Sequence, residues 1–549
     1  MNSPVNEKRS NFIFVVVLAA ILLVAAGYKA LIVSLGLVPF NADEAIVGLM
    51  AGHILKGETP LFFYGQAYMG SLDAYLVAAG FALFGRSVAV IRLVQAILYL
   101  LTIITTVFLG RAFWGSTKAG LIAGGLLAIP TVNLTLYTTA SLGGYGEALL
   151  IGNLVLLCGW NLAHRPAPGA GENRQRAGYY GLFLLWGFLA GLGFWANALS
   201  LIYSLPVGVF ILWRLVSRAK KWGWVGPLFL LLVGLGIGSC PWWIYASRNG
   251  LSALIGEILG QAVAVESGAY LKIVWDHFFS LIVLGIPVIL GLRPPWNVSW
   301  LGLPLIPFVL ILWGSILIFV RRFVRADPGK KSATVLIGSI ISVLLIGFVF
   351  TSFGVDPSGR YFLPVSLLLA LIAGLVFAHW IEINRLAVGG FVLLVAFQVY
   401  GNWQSARANP PGFTTQFYEP ARLDMRSMSD LVAFLRENDL TRGYSNYWVS
   451  YPLAFLSEEE LIYTPELPYH PDLRYTARDN RYQPYNELVV QSDSVAYITG
   501  KNPLLDERLR AGFAGLGVTW QEKAIGDFHV YYNLSAPVRP GEIDLSPPQ

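Results

Sequence analysis

Three short stretches combine residue types and spacings that could do chemistry. In Asn41-Ala42-Asp43-Glu44-Ala45 two adjacent carboxylates open an apolar segment. Asn41 reads as a helix N-cap, and Glu44, three residues on, as the reciprocal half of a capping box. Acids are favoured at a helix N-terminus in any case. That gives Glu44 a structural task and leaves Asp43 without one. Successive helical residues point about 100° apart, so only one of the two can aim directly at a reacting group. A hydroxyl nucleophile needs a positioned carboxylate to take its proton, an effect of about 10²–10⁴-fold. Asp43 therefore reads as a general base and Glu44 as its support.

The second stretch is Ser141-Leu142-Gly143-Gly144-Tyr145-Gly146-Glu147. Glu147 is the sole acid between residues 74 and 171. It reads either as a helix-opening acid after a Gly-rich turn or as a second functional carboxylate. The third is Asp356-Pro357-Ser358-Gly359-Arg360-Tyr361-Phe362-Leu363-Pro364. A guanidinium there can grip a phosphate bidentately; the alternatives are a snorkelling cation or a partner for Asp356. Between Phe62 and Ser71, aromatic rings alternate with amide and hydroxyl groups. Tyr64, Gln66 and Tyr68, with Tyr361 from the third stretch, are suited to line a sugar site, although an interfacial aromatic belt has the same composition. The six histidines show neither HxxxH nor HExxH spacing, and no nucleophile elbow or phosphate-binding loop is present. His53 could assist chemistry but fits an interfacial polar residue better.

These residues must be held by a membrane-embedded scaffold. Charged residues make up 13% of the 549, and the mean hydropathy is +0.59, whereas soluble domains carry roughly 25% charged residues. Long apolar runs recur near 12–33, 88–110, 117–137, 147–164, 179–196, 198–216, 225–246, 278–292, 299–320, 333–353, 361–380 and 386–401. A span needs about 20 such residues. The first run follows Lys8 and Arg9 and exceeds the length of a cleaved signal core. Basic clusters set orientation: Arg111 with Lys118, Arg165 to Arg176, Arg214 to Lys221 and Arg321 to Lys331 belong on the cytoplasmic side. That demand is met when 278–292, closed by Arg293-Pro294-Pro295, is a re-entrant or interfacial helix, leaving about eleven spans. Asp43, Glu44, Glu58, Asp73, Glu147, Glu257, Glu266, Asp276, Asp356 and Arg360 then all face outward. Ionisable groups at membrane depth are costly and usually functional, so any chemistry belongs to the extracytoplasmic side. The 34–87 loop is expected to form two amphipathic surface helices, near 43–56 and 69–84.

From Trp403 onward the balance reverses. There the acids outnumber the bases 19 to 13, while residues 1–402 carry a net +12. The chain thus reads as a membrane domain, 1–402, and a soluble extracytoplasmic α/β domain, 403–549. In the tail, helices are expected near 427–440, 451–457 and 503–515, and strands near 442–448, 460–463, 495–499, 518–524 and 528–533. The Tyr- and Arg-rich 463–485 stretch reads as an irregular surface loop that could contact a glycan. The basic excess lies in the membrane portion, so nothing argues for nucleic acid.

The order "NADEA…GHILKGETPLFFYGQAYMGSLDAYL…LFGRSVAVIRL" resembles the first loop of the GT-C membrane glycosyltransferases. The protein O-mannosyltransferase and aminoarabinose transferase branches, with the lipid-A-core galacturonosyltransferase-like one, are the most similar. The resemblance covers residues 1 to about 400. It implies transfer of a sugar, with inversion, from a polyprenyl-phosphate donor to a lipid, glycan or protein acceptor at the outer face of a bacterial cytoplasmic membrane. It also implies a catalytic Asp43-Glu44 pair and a lipid-phosphate contact at Arg360. At Glu147 it implies a group binding acceptor or a divalent cation. A transporter or flippase, or a glycan ligase, is the alternative; the absence of internal repeats and the one-sided acids argue against transport.

Overall fold

The computed structural model describes residues 4–166, 173–218, 223–259 and 268–545. Lys220, Lys221, Glu266 and part of the Arg165–Arg176 run lie outside the described residues. Among the described residues nine helices are long and apolar enough to cross a membrane, or ten if the bent pair Val225–Gly238 and Cys240–Asn249 is one span. About eleven were expected, and the difference is physical. The run at 117–137 breaks at Ile129-Pro130, giving a helix of only 12 residues, Thr117–Ala128. The last bundle helix, Ala387–Ala408, carries Gln398, Asn402, Gln404 and Arg407 and falls short in apolarity, although it is 22 residues long. It also runs through residue 402, so a boundary drawn there falls inside a helix.

The expected re-entrant segment belongs to a longer helical stretch, Tyr270–Ile289, which is itself long enough to cross. Tyr270 Oη reaches Phe350 O at 3.4 Å, His277 Nδ1 lies 3.1 Å from Val349 O, and Arg293, just past its end, donates to Pro357 O. Both ends therefore meet the 349–357 segment, which lies at one end of the bundle. That end also holds the 35–87 loop. At the opposite end Lys118 pairs with Glu382 at 3.4 Å. Bundle helices approach closely where glycines face each other. A Cβ on Gly187 would sit 2.0 Å from Leu231 O and one on Gly238 2.3 Å from Phe188 O, which fits the small-residue packing of membrane helices.

The loop forms the helices Ala42–Leu55 and Leu72–Phe84, with a small hairpin, Phe62–Phe63 and Gln66–Gly70, between them. The hairpin was not anticipated. Nor is Ala42–Leu55 a surface helix: it is buried from Ala42 to His53 apart from Asp43. Its second face is covered by the tail helix Tyr447–Leu456, and a single apolar core joins Ile46, Met50 and Phe81 to Val449, Leu453 and Phe455. Phe455 packs so closely on Gly48 that a Cβ there would lie 2.5 Å from its ring.

The tail is an α/β domain, as its alternating signals predict. Its sheet has Arg442–Ser445 parallel to both Ile462–Pro465 and Ala496–Gly500, followed by the antiparallel hairpin Gln521–Ile525 and Phe528–Tyr532. Helices Met428–Glu437, Tyr447–Leu456 and Pro503–Gly515 match expectation to within a few residues, while an unanticipated helix, Gln483–Val490, starts at the end of the 463–485 stretch read as a loop.

Candidate active site

The cap at Asn41 forms as expected: its side chain accepts from Glu44 N at 3.0 Å. The reciprocal half does not, because the Glu44 side chain turns inward. It is fully buried and accepts from Arg92 Nε and Nη2, each at 3.0 Å. Burial pushes the Glu44 carboxyl up, and the guanidinium opposes it. Asp73 lies in the same buried layer. It accepts from Gln95 Nε2 at 2.9 Å, Ser141 Oγ at 2.5 Å and Gly144 N at 3.4 Å. Glu147 is 1% exposed and faces Asp73 and Gln95. Sequence reasoning missed Arg92, Gln95 and the role of Asp73. The available signal was an arginine and an amide one turn apart in an otherwise apolar span, since such groups need buried polar partners.

Asp43 stays partly exposed and points the other way. Its Oδ1 accepts from Tyr447 Oη of the tail at 2.5 Å. The Arg481 guanidinium lies 5.4 Å from the Tyr447 ring centre. Arg481 Nη1 donates to Gly65 O at 3.3 Å, and the Gln66 amide oxygen, turned toward the guanidinium, accepts from Nη2 at 2.9 Å and Nη1 at 3.1 Å. Gly65 has φ +72°, and a Cβ there would sit 2.7 Å from Arg481 Cδ, so only glycine leaves space for this side chain. Asp479 is buried nearby. Burial outweighs the pull of Arg481, and its carboxyl is pushed up to about 7. The 463–485 stretch is thus no free surface loop, but a wall of the site.

Arg360 occupies the other wall. It pairs with Asp356 at 2.5 Å, stands 5.0 Å over the Tyr361 ring, and keeps a buried Nε without a partner. Arg293 fixes this corner, donating to Leu284 O at 2.9 Å and to Pro357 O. Tyr137 is within electrostatic reach of Asp43, Asp356 and Arg360, and Tyr68 within reach of both Arg360 and Arg481. The two walls therefore face a common space. Tyr68 and Tyr361 also line a mostly apolar cavity of about 190 Å³, with Ile202, Leu344 and Phe348 among its walls.

Of the residues expected from sequence, Asp43, Gln66, Tyr68, Arg360 and Tyr361 come together here. Glu44 and Glu147 are sequestered in the buried layer. Tyr64 is elsewhere: it bonds His53 at 2.9 Å and Glu58 at 3.0 Å and stacks on Tyr482. His53 is itself buried against Glu459 at 2.7 Å. Among the described residues no three His, Cys, Asp or Glu side chains converge as a metal site.

No sequence family and no curated protein matches the chain. Solved structures do. The chain is similar to ArnT from Cupriavidus metallidurans bound to undecaprenyl phosphate, with TM-score 0.57, 14% identity, and coverage of 97% of this chain and 99% of that one. The apo form of ArnT gives TM-score 0.58 at 14% identity, covering 98% and 100%. The Archaeoglobus fulgidus oligosaccharyltransferase in complex with Zn and sulfate gives TM-score 0.50 at 12% identity, covering 94% of this chain and 73% of that one. The likeness to ArnT runs through the bundle and the tail together, and the chain shares the fold of that protein, the GT-C-like architecture expected from the sequence.

Proposed function

We propose that this protein is a membrane glycosyltransferase that moves a sugar from a polyprenyl-phosphate donor to an acceptor hydroxyl on a lipid, glycan or protein. The observation that carries this is that a part-exposed carboxylate, Asp43, and a guanidinium, Arg360, both lie within electrostatic reach of Tyr137, close to an apolar cavity lined by Tyr68 and Tyr361. The cavity suits the first isoprene units of a lipid carrier, and Arg360, with its unpartnered Nε, suits the phosphate. That ArnT was crystallised with undecaprenyl phosphate adds support.

In this reaction the acceptor oxygen attacks the anomeric carbon from the side opposite the phosphate. Its proton passes to Asp43 as the new C–O bond forms. The bond from the anomeric carbon to the phosphate oxygen breaks, and polyprenyl phosphate leaves with charge that Arg360 stabilises. A single displacement inverts the anomeric centre. Glu44 acts through structure, locking the start of its helix to Arg92. Asp73 and Glu147 form the second acidic layer and orient the loop around the acceptor. A divalent cation would find oxygen ligands there, but no group of three His, Cys, Asp or Glu side chains converges as a metal site among the described residues, and no step is assigned to it. Bundle and tail are two domains of one enzyme, with the site on the extracytoplasmic side of a bacterial inner membrane.

Purified protein in liposomes, given labelled polyprenyl-phosphate sugars and crude envelope acceptors, tests this. Release of polyprenyl phosphate with label in the acceptor is expected. Movement of intact donor across the bilayer without cleavage would mean a flippase instead.

A further inference from the structure

We infer that Tyr447 and Arg481 of the tail domain position the Asp43 carboxylate, so that the reaction centre is shared between two domains and is complete only while the tail is docked. The inference rests on Asp43 being the base. Asp43 sits on the first turn of the Ala42–Leu55 helix, yet its bond partner lies about 400 residues away in sequence, with Tyr447 Oη donating to Oδ1 at 2.5 Å. Tyr447 is 3% exposed and belongs to the helix that covers Ala42–Leu55. Its hydroxyl takes one carboxylate oxygen and leaves the other to receive a proton. Arg481 lies beneath the tyrosine ring and is anchored by the Gly65-Gln66 turn of the loop hairpin, so the loop and the tail hold the same guanidinium.

The charged and titratable groups facing Asp43 come from both domains. Tyr447, Tyr469, Asp479 and Arg481 belong to the tail, and Tyr137 to the bundle. Glu44, its neighbour on the helix, is turned away to Arg92. A hydrogen bond donated to a carboxylate favours its charged form. Removing the tyrosine hydroxyl should therefore slow proton transfer to Asp43 without weakening donor binding, whereas loss of a contact from a merely packed aromatic would not act on the chemical step.

The test is Tyr447→Phe in the full chain, which keeps the ring and removes only the hydroxyl, with Arg481→Lys as a second variant and Asp43→Asn in parallel. For Tyr447→Phe, kcat should fall about tenfold or more, as for loss of a hydrogen bond to a charged group. Donor KM should stay within about twofold. Arg481→Lys should lower kcat in the same way with donor KM kept, and it decides the matter if Tyr447→Phe does not fold. Wild-type kcat in these variants, with Asp43→Asn inactive, would overturn the positioning role alone. Wild-type turnover in Asp43→Asn would overturn the base assignment and this inference with it.

Discussion

Glu459 offers the sharpest test of how the tail is held on the first loop. Its carboxylate accepts from His53 Nε2 and Lys56 Nζ, each at 2.7 Å, and from Tyr485 Oη at 2.9 Å. Burial alone would push this carboxyl up. The bonds from His53 and Lys56 outweigh burial and hold it at about 2, against an ordinary value of 4.5. At about 1.4 kcal/mol per unit that is roughly 3 kcal/mol, and solvent screening of the exposed Lys56 leaves about 2 kcal/mol. Because the folded value is depressed, this contribution is fully present above pH 4.5 and is lost as pH falls toward 2. Glu459→Gln should remove it. Hydrogen exchange of the full chain at pH 7 would then show the amides of Ala42–Leu55 and Tyr447–Leu456 opening about 30-fold more often than in wild type, the equilibrium factor for about 2 kcal/mol. Near pH 3, comparison of the two proteins at equal pH should show a much smaller gap. Identical protection of both helices at pH 7 would refute Glu459 as the clamp.

Arg360→Lys keeps the charge but loses the fork, so transfer should drop at least about tenfold with a higher donor KM; unchanged kinetics and donor affinity would remove Arg360 from the site. Breaking the buried Glu44–Arg92 pair from either side should cost about 3–5 kcal/mol. Glu44→Gln should thus lower the thermal midpoint clearly while losing less activity per folded molecule than Asp43→Asn, and an unshifted midpoint would contradict the pairing. Single cysteines at Ser332 and Ser492, with Cys158 and Cys240 replaced by serine, should label from the cytoplasmic and the outer side respectively; labelling of position 332 only from outside would invert the topology.

The spans were legible because a membrane helix announces itself locally, as an apolar run bounded by basic residues. The cap at Asn41 and the tail helices were legible for the same reason. What could not be read were pairings across long sequence separations. Ala42–Leu55 looks like a surface helix until Tyr447–Leu456 is seen to cover it. The Phe62–Gly70 hairpin is too short to show a strand pattern. Glu44 reads as part of its own helix cap because its partner, Arg92, lies 48 residues on, and the bond of Asp73 to Ser141, 68 residues on, is equally invisible locally. At the site, Asp43 and Arg360 stood out by type and context. Arg481 was visible only as one of several arginines in a polar stretch, and nothing local marks it as the one folded against Gly65. Glu147 was legible as an isolated acid, but its direction, inward to Asp73, was not.

The most direct measurement of the central claim is single-turnover transfer from a labelled polyprenyl-phosphate sugar by wild-type protein and by Asp43→Asn, both shown to be folded by matching thermal midpoints. Wild type should release polyprenyl phosphate and label the acceptor, while Asp43→Asn should be slower by about 10²–10⁴-fold with donor binding retained. Wild-type turnover in the folded Asn variant would contradict the account.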